Sequence, residues 1–169
     1  AAHRLTETEY ETLFAGRAAV ADYAAALADA RRREVYGTDV YIRGLIEVSN
    51  ICKNDCYYCG IRKSNAACTR YRLGDDEILA ACRAGYALGF RTFVMQGGED
   101  AAFSDARLVP LVRAIKAEFP DCAVTLSLGE RSDASYRALR EAGADRYLLR
   151  HETADAAHYA RLHPAAMSH

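Results

Sequence analysis

The stretch "SNICKNDCYYCG" (49–60) carries three thiols, Cys52, Cys56 and Cys59, spaced C-x3-C-x2-C. Thiolates are soft ligands that suit zinc and iron–sulfur clusters. Three leave one unpaired as disulfides and fall one short of the four ligands of a structural zinc site. A [4Fe–4S] cube has four irons, so three cysteines would hold three and leave the fourth for an outside ligand. Two alternatives stay open beside this: zinc held by three thiolates and a water, or a closed cluster completed by Cys68. Cys82 falls in a helical pattern and Cys122 at the start of a strand pattern, so both read as small buried apolar residues.

The elements that must position these thiols follow from periodicity. "TETEYETLFAG" (6–16) opens with Thr6 and Glu9 at capping-box spacing and closes at Gly16. An Ala-rich helix follows and ends in Arg31, Arg32 and Arg33, a solvated basic end suited to the helix dipole. After Gly44, short apolar runs alternate with amphipathic segments. Strands are predicted over 44–48, 91–96, 122–128 and 146–150, and helices over 75–89, 104–119, 132–143 and 155–163. Pro110 is expected to start or kink its helix. Strand–helix alternation implies right-handed βαβ units on a parallel sheet, half of the eight units that close a barrel, or a small open α/β sheet. The expected division is a helical extension over 1–37 and the β/α units over 38–169.

Functional loops in such folds lie beyond the carboxyl ends of the strands. The cysteine loop, "QGGED" (96–100), "SLGER" (127–131) and "RHET" (150–153) therefore share one rim. The two glycines of "QGGED" let a ligand approach the backbone, or merely satisfy a tight turn. Glu99 could accept a cationic amine. Glu130 and Glu152 are further acceptors, one of them expected to be only a helix-start carboxylate. In an extended 146–150 segment, Arg146 and Arg150 share a face and would need an anion or a rim carboxylate. His151, His158 and His163 show no ligand spacing and read as surface or capping residues.

Composition narrows the partners. Lys plus Arg number 22 and Asp plus Glu 23, for a net charge of −1, so no nucleic-acid-binding surface is expected. No apolar run reaches the roughly 18 residues of a membrane span, and "AAHRLTETEY" lacks a signal-peptide layout. The cytoplasm is the expected compartment, where clustered cysteines bind metal or do redox chemistry. The abrupt start and end suggest part of a longer protein.

The cysteine spacing, the aromatic Tyr58 before the last cysteine, and "GGE" one strand later together resemble the radical S-adenosylmethionine (SAM) superfamily. Within it, "RGLIEVSNICKNDCYYCGIRKSN", "YRLGDDEI", "VMQGGED", "TLSLGER" and "ADRYLLRHETADAAHYARLHP" are similar to HydE-type [FeFe]-hydrogenase maturases, relatives of biotin synthase and methylornithine synthase. The resemblance runs from about Tyr36 to the end. It implies a (β/α)8 TIM-type barrel, of which this chain holds roughly the N-terminal half behind N-terminal helices. It also implies a [4Fe–4S] cluster on Cys52, Cys56 and Cys59, whose open iron SAM chelates before cleavage to a 5′-deoxyadenosyl radical. Tyr58, Gly97, Gly98, Glu99, Ser127 and Glu152 would contact SAM, and Thr125, Arg146 and Arg150 would line the substrate cavity. The implied substrate is a small iron- and sulfur-containing or amino-acid-derived molecule, with other hydrogenase maturases and a reductant protein as partners. A mutase or synthase of the methylornithine or biotin type, and a non-catalytic metal-binding module, remain the alternatives. A half barrel has unpaired strand edges, so a partner, further chain or a second copy is expected to cover them.

Overall fold

Thr6 accepts from the Glu9 amide while the Glu9 carboxylate accepts from the Thr6 amide, and this reciprocal cap starts α1 (Glu7–Ala15). The computed structural model describes residues 4–167. Helix α2 (Arg17–Tyr36) follows directly, and neither helix buries a side chain within the described residues. The chain divides into two units after Tyr41. No helix among the described residues is long and apolar enough to cross a membrane.

The second unit is built from β1 (Gly44–Ser49), α3 (Asp75–Ala87), β2 (Thr92–Gly97), α4 (Asp105–Glu118), β3 (Ala123–Ser127), α5 (Asp133–Ala142), β4 (Arg146–Tyr147) and α6 (Ala156–Leu162). The four strands pair in parallel in the order β1-β2-β3-β4, each followed in the chain by a helix. This is the expected series of β/α units, and Pro110 lies inside α4, which begins at Asp105. Alternation along the strands sorts the two faces of the sheet. Phe93, Met95, Val124 and Leu126 point to one face and pack with Ile78, Leu108, Val112, Ile115 and Leu139 from α3, α4 and α5. Each such buried side chain contributes about 1.5–3 kcal/mol, which fixes the strand ends against the helices. Cys82 and Cys122 belong to this core, as expected, and burial pushes the Cys82 thiol up to about 12. Neither thiol is available as a thiolate at neutral pH.

The fourth strand is shorter than predicted. Only Arg146 and Tyr147 pair with β3, opposite Thr125 and Leu126. The reason lies in the neighbour: β3 ends at Ser127, and the chain turns away through Gly129 at φ +82°. The Leu148 amide still donates to the Leu126 carbonyl at 2.8 Å, and beyond it residues 149–150 have no strand to extend along. The expectation that Arg146 and Arg150 share one face of a continuous strand is overturned, and both side chains are exposed.

Candidate functional site at the strand ends

Between Ser49 and α3 the chain makes a long loop without regular structure, so its backbone groups need partners of another kind. Arg70 supplies many of them. Its guanidinium donates to the carbonyls of Asn50 (2.6 Å), Ile61 (2.8 Å), Arg62 (2.6 Å) and Asn65 (3.2 Å). Asn50 closes the base of the loop, donating to the Thr69 carbonyl and accepting from the Tyr71 amide, both at 2.7 Å. The cysteines therefore sit on a loop stapled shut rather than on a free excursion. Nothing in the cysteine spacing points to Arg70; its signal is an arginine pair, Arg70 and Arg72, where the loop returns to the sheet.

Cys52, Cys56 and Cys59 are half-buried free thiols that line one cavity of about 490 Å³. Burial pushes the Cys56 thiol up, the Tyr58 hydroxyl beside it pulls it down, and the charges of Cys52 and Cys59 push it up again. The three sulfurs thus lie within one another's field. Cys68 does not line the cavity; its sulfur accepts from Asn50 Nδ2 at 3.5 Å. Among the described residues no three Cys, His, Asp or Glu side chains converge at the spacing of a single metal ion. Three thiols with no fourth in the cavity wall suit a cube that puts each thiolate on a different iron and leaves the fourth iron open.

The "QGGED" loop packs directly on the cysteine loop. A Cβ on Gly98 would lie 2.2 Å from the Ile51 carbonyl oxygen and 2.7 Å from Cys52 Cβ, and one on Gly97 would lie 2.8 Å from the Ser49 oxygen. The close approach that these glycines permit is that of the cysteine loop itself. Glu99 is held from the same loop, with Oε2 2.9 Å from Lys53 Nζ and Oε1 accepting from Asn54 Nδ2 at 3.0 Å. Its side chain crosses Gly129, where a Cβ would come within 1.9 Å of Glu99 Cγ. No sequence pattern marks Lys53 and Asn54, although both lie inside the cysteine motif.

Asp100, the last residue of "QGGED", has a different task. Its side chain is 2% exposed and takes a bidentate pair from Arg72, at 2.7 and 2.8 Å, with a further bond from Ser49 Oγ at 2.7 Å. The Arg72 guanidinium, aided by Ser49, holds the carboxyl down at about 2 against an ordinary 3.8. A folded-state value below the unfolded one means stability present above about pH 4 and lost as pH falls from there through 2. The shift corresponds to about 2 kcal/mol. Asp100→Asn is expected to lower stability by that amount at pH 7 and to flatten the acid limb of a denaturation profile between pH 4 and 2. An unchanged acid limb would remove Asp100 from this role.

The structure brings Tyr58, Gly97, Gly98, Glu99, Ser127, Arg150 and Glu152 to the same cavity as the three cysteines. Ser127 Oγ is buried there without a hydrogen-bond partner, an acceptor and donor left for a ligand. Glu152 is the only non-glycine residue described with positive φ, at 64°, a conformation that costs about 1–2 kcal/mol. Thr125 and Arg146 do not line the cavity. They are register partners one step down the sheet, on the face away from the helices, where Thr125 Oγ1 is also buried and unpartnered. Glu130 and Glu152 both reach the rim, and neither lies in the first turn of a helix, so the expected helix-start role falls away for both. His158 does stand in a cap, its amide donating to Asp155 at 2.6 Å. His163, expected at the surface, is instead 4% exposed and lies 3.3 Å from the Tyr58 hydroxyl.

The profile of the Radical SAM superfamily matches residues 46–166. The chain is 44% identical over 138 residues to the [FeFe] hydrogenase maturase subunit HydE of Thermotoga maritima, covering 82% of this chain and 39% of that protein. It is 32% identical over 133 residues to the 3-methylornithine synthase of Methanosarcina acetivorans, covering 78% of this chain and 37% of that protein. Among solved structures, methylornithine synthase (PylB) superposes with a TM-score of 0.73 at 31% identity, covering 79% of this chain and 40% of that one. The [FeFe]-hydrogenase maturase HydG gives a TM-score of 0.69 at 26% identity over 79% of this chain and 30% of its own. The chain thus spans about two-fifths of the length of these two curated relatives.

Proposed function

The chain belongs to the radical SAM superfamily, and on that footing we propose that Cys52, Cys56 and Cys59 hold a [4Fe–4S] cluster with one open iron. The observation that carries the reading is three thiols on one stapled loop, lining one cavity with the "GGE" turn and with no fourth thiol in its wall. The chemistry supplied at such a site is reductive cleavage of S-adenosylmethionine to a 5′-deoxyadenosyl radical. Glu99 offers a carboxylate to the ammonium of the methionine moiety, in the place that Lys53 Nζ occupies here. Ser127 Oγ, otherwise unpartnered, and Glu152 offer further polar contacts, and the half-exposed Tyr58 ring forms an aromatic wall for the adenine. Arg150 on the rim, with Thr125 and Arg146 below it, would face the substrate. Cys52, Cys56 and Cys59 must lose their protons to bind iron, so cluster assembly releases protons and is favoured at higher pH.

The further reading is a HydE-type role in building the [FeFe]-hydrogenase active site. It is supported by 44% identity to a HydE, against 32% to a methylornithine synthase. The substrate would be a small iron- and sulfur-containing or amino-acid-derived molecule, with other maturases and a reductant protein as partners. The test uses the natural open reading frame, reconstituted without oxygen and supplied with dithionite and SAM. Release of 5′-deoxyadenosine is expected, together with restored hydrogenase maturation in cells lacking their own maturase. No 5′-deoxyadenosine from iron-loaded protein would end the superfamily chemistry here. Cleavage without rescue, but with turnover of lysine, would move the assignment to the methylornithine synthase type.

A further inference from the structure

We infer that His163 is a positioning residue that holds Tyr58, and through it the cysteine loop, from the far side of the cavity. The inference rests on the reading of that loop as a cluster site. His163 stands just beyond α6 and is 4% exposed, so its two ring nitrogens need partners inside the protein. Nδ1 lies 3.0 Å from the Tyr159 carbonyl, which can only accept, so Nδ1 carries the proton. In the neutral ring Nε2 is then the acceptor, and the Tyr58 hydroxyl is 3.3 Å away to donate to it. The imidazole stacks on Tyr159 at 3.8 Å and meets the Tyr58 ring edge-on at 5.5 Å. One residue earlier on both segments, the Tyr57 amide donates to the Leu162 carbonyl at 2.9 Å. Two adjacent bonds therefore clasp residues 57–58 to residues 162–163.

The position of the clasp matters. Tyr57 and Tyr58 are the two residues between Cys56 and Cys59. Arg70 staples the later part of the loop, from Ile61 to Asn65, and makes no bond to the chain between Cys52 and Cys59. The Cys56–Cys59 turn has its own internal bond, from the Cys59 amide to the Cys56 carbonyl, and the clasp is what ties that turn to another element. If Tyr58 moves, the sulfurs on both sides of it move with it. A residue more than a hundred positions away in sequence thus sets the spacing within a motif that reads as local.

The experiment separates the two ring nitrogens. Glutamine at 163 places an amide where Nε2 lies, and asparagine places one where Nδ1 lies. In the iron-free protein, hydrogen exchange of the Tyr57 amide is expected to be about tenfold faster in His163→Asn and in Tyr58→Phe, and near the wild-type rate in His163→Gln. Amides of the β3 core serve as the control for general loosening. If these also accelerate in His163→Asn, Tyr58→Phe alone decides, because it removes one hydroxyl from a half-exposed side chain. After reconstitution, the electron paramagnetic resonance spectrum of the reduced cluster is expected to change in His163→Asn and Tyr58→Phe and to be restored in His163→Gln. Equal behaviour of the asparagine and glutamine variants, or an unmoved Tyr57 amide in Tyr58→Phe, would overturn the positioning role. Wild-type protein that takes up no iron would instead defeat the cluster reading, and the exchange data would still show whether the clasp exists.

Discussion

Cys59→Ala, after anaerobic reconstitution, is expected to hold almost no iron, whereas Cys68→Ala should hold about four per chain like the wild type. The two thiols are nine residues apart and both are half-buried, so exposure alone does not separate them. Geometry does. Cys59 lines the cavity with Cys52 and Cys56, while Cys68 turns to Asn50 Nδ2 and to the Thr69 carbonyl. Losing one of three thiolates leaves a cube with two adjacent irons unheld, and each ligand position contributes a large share of the binding free energy. SAM cleavage should fall by at least about 100-fold in Cys52→Ala, Cys56→Ala and Cys59→Ala alike, beyond the 10–100-fold usual for residues behind the ligands. Equal iron loss in Cys68→Ala would identify a closed cluster with no open iron and would remove the catalytic reading. Zinc in place of iron, found by metal analysis of anaerobically isolated protein, would do the same.

The second large effect is expected at a residue that binds nothing by its side chain. In Gly98→Ala the new methyl would meet the Ile51 carbonyl oxygen at 2.2 Å, the Ile51 carbonyl carbon at 2.8 Å and Cys52 Cβ at 2.7 Å. These are main-chain atoms and the Cβ of Cys52, not the far end of a flexible side chain. Neither side can retreat easily: the Gly98 amide donates to the Ser49 carbonyl at 3.1 Å, and the Lys53 amide donates to the Glu99 carbonyl at 3.1 Å. Overpacking of this kind costs about 1–3 kcal/mol, and here the displacement falls on Cys52. A lower melting temperature together with loss of iron is therefore expected. Gly60→Ala, in the same loop with nothing within 4 Å of its Cβ, is the matched control and should behave as wild type. Normal iron content in Gly98→Ala would show that the two loops move independently and that the "GGE" turn is not built around the cysteine loop.

Much of this site is legible in the sequence. Ligand type and spacing within "CKNDCYYC" are local properties, as are the apolar periods that place one loop after each strand. The rim that gathers the cysteine loop with Gly97, Gly98, Glu99, Ser127 and Glu152 follows from those periods and from the topology of parallel β/α units. "RYLLR" marks where local pattern stops. Its residues suit a strand, but a strand needs a partner of equal length, and β3 ends at Ser127. Arg150 therefore reaches the cavity and Arg146 does not, although even spacing in an extended segment treats them alike. The glycines of "QGGED" do permit a close approach, but by a different neighbour: Gly98 is small for Cys52 and Ile51 rather than for a ligand alone.

What the sequence determined by itself is the donor chemistry, the order of the elements and the edge of the sheet at which the site lies. Each depends on residues within a few positions of one another, where covalent geometry and side-chain period leave little freedom. The tertiary structure alone decided that Arg72 closes on Asp100, that Arg70 staples the loop, that Cys68 faces away and that His163 stands behind Tyr58. Those pairings join groups whose separation depends on strand register and on the path of a long loop. A bond of about 3 Å is set there by the packing of every element between its ends, and no local pattern encodes that sum.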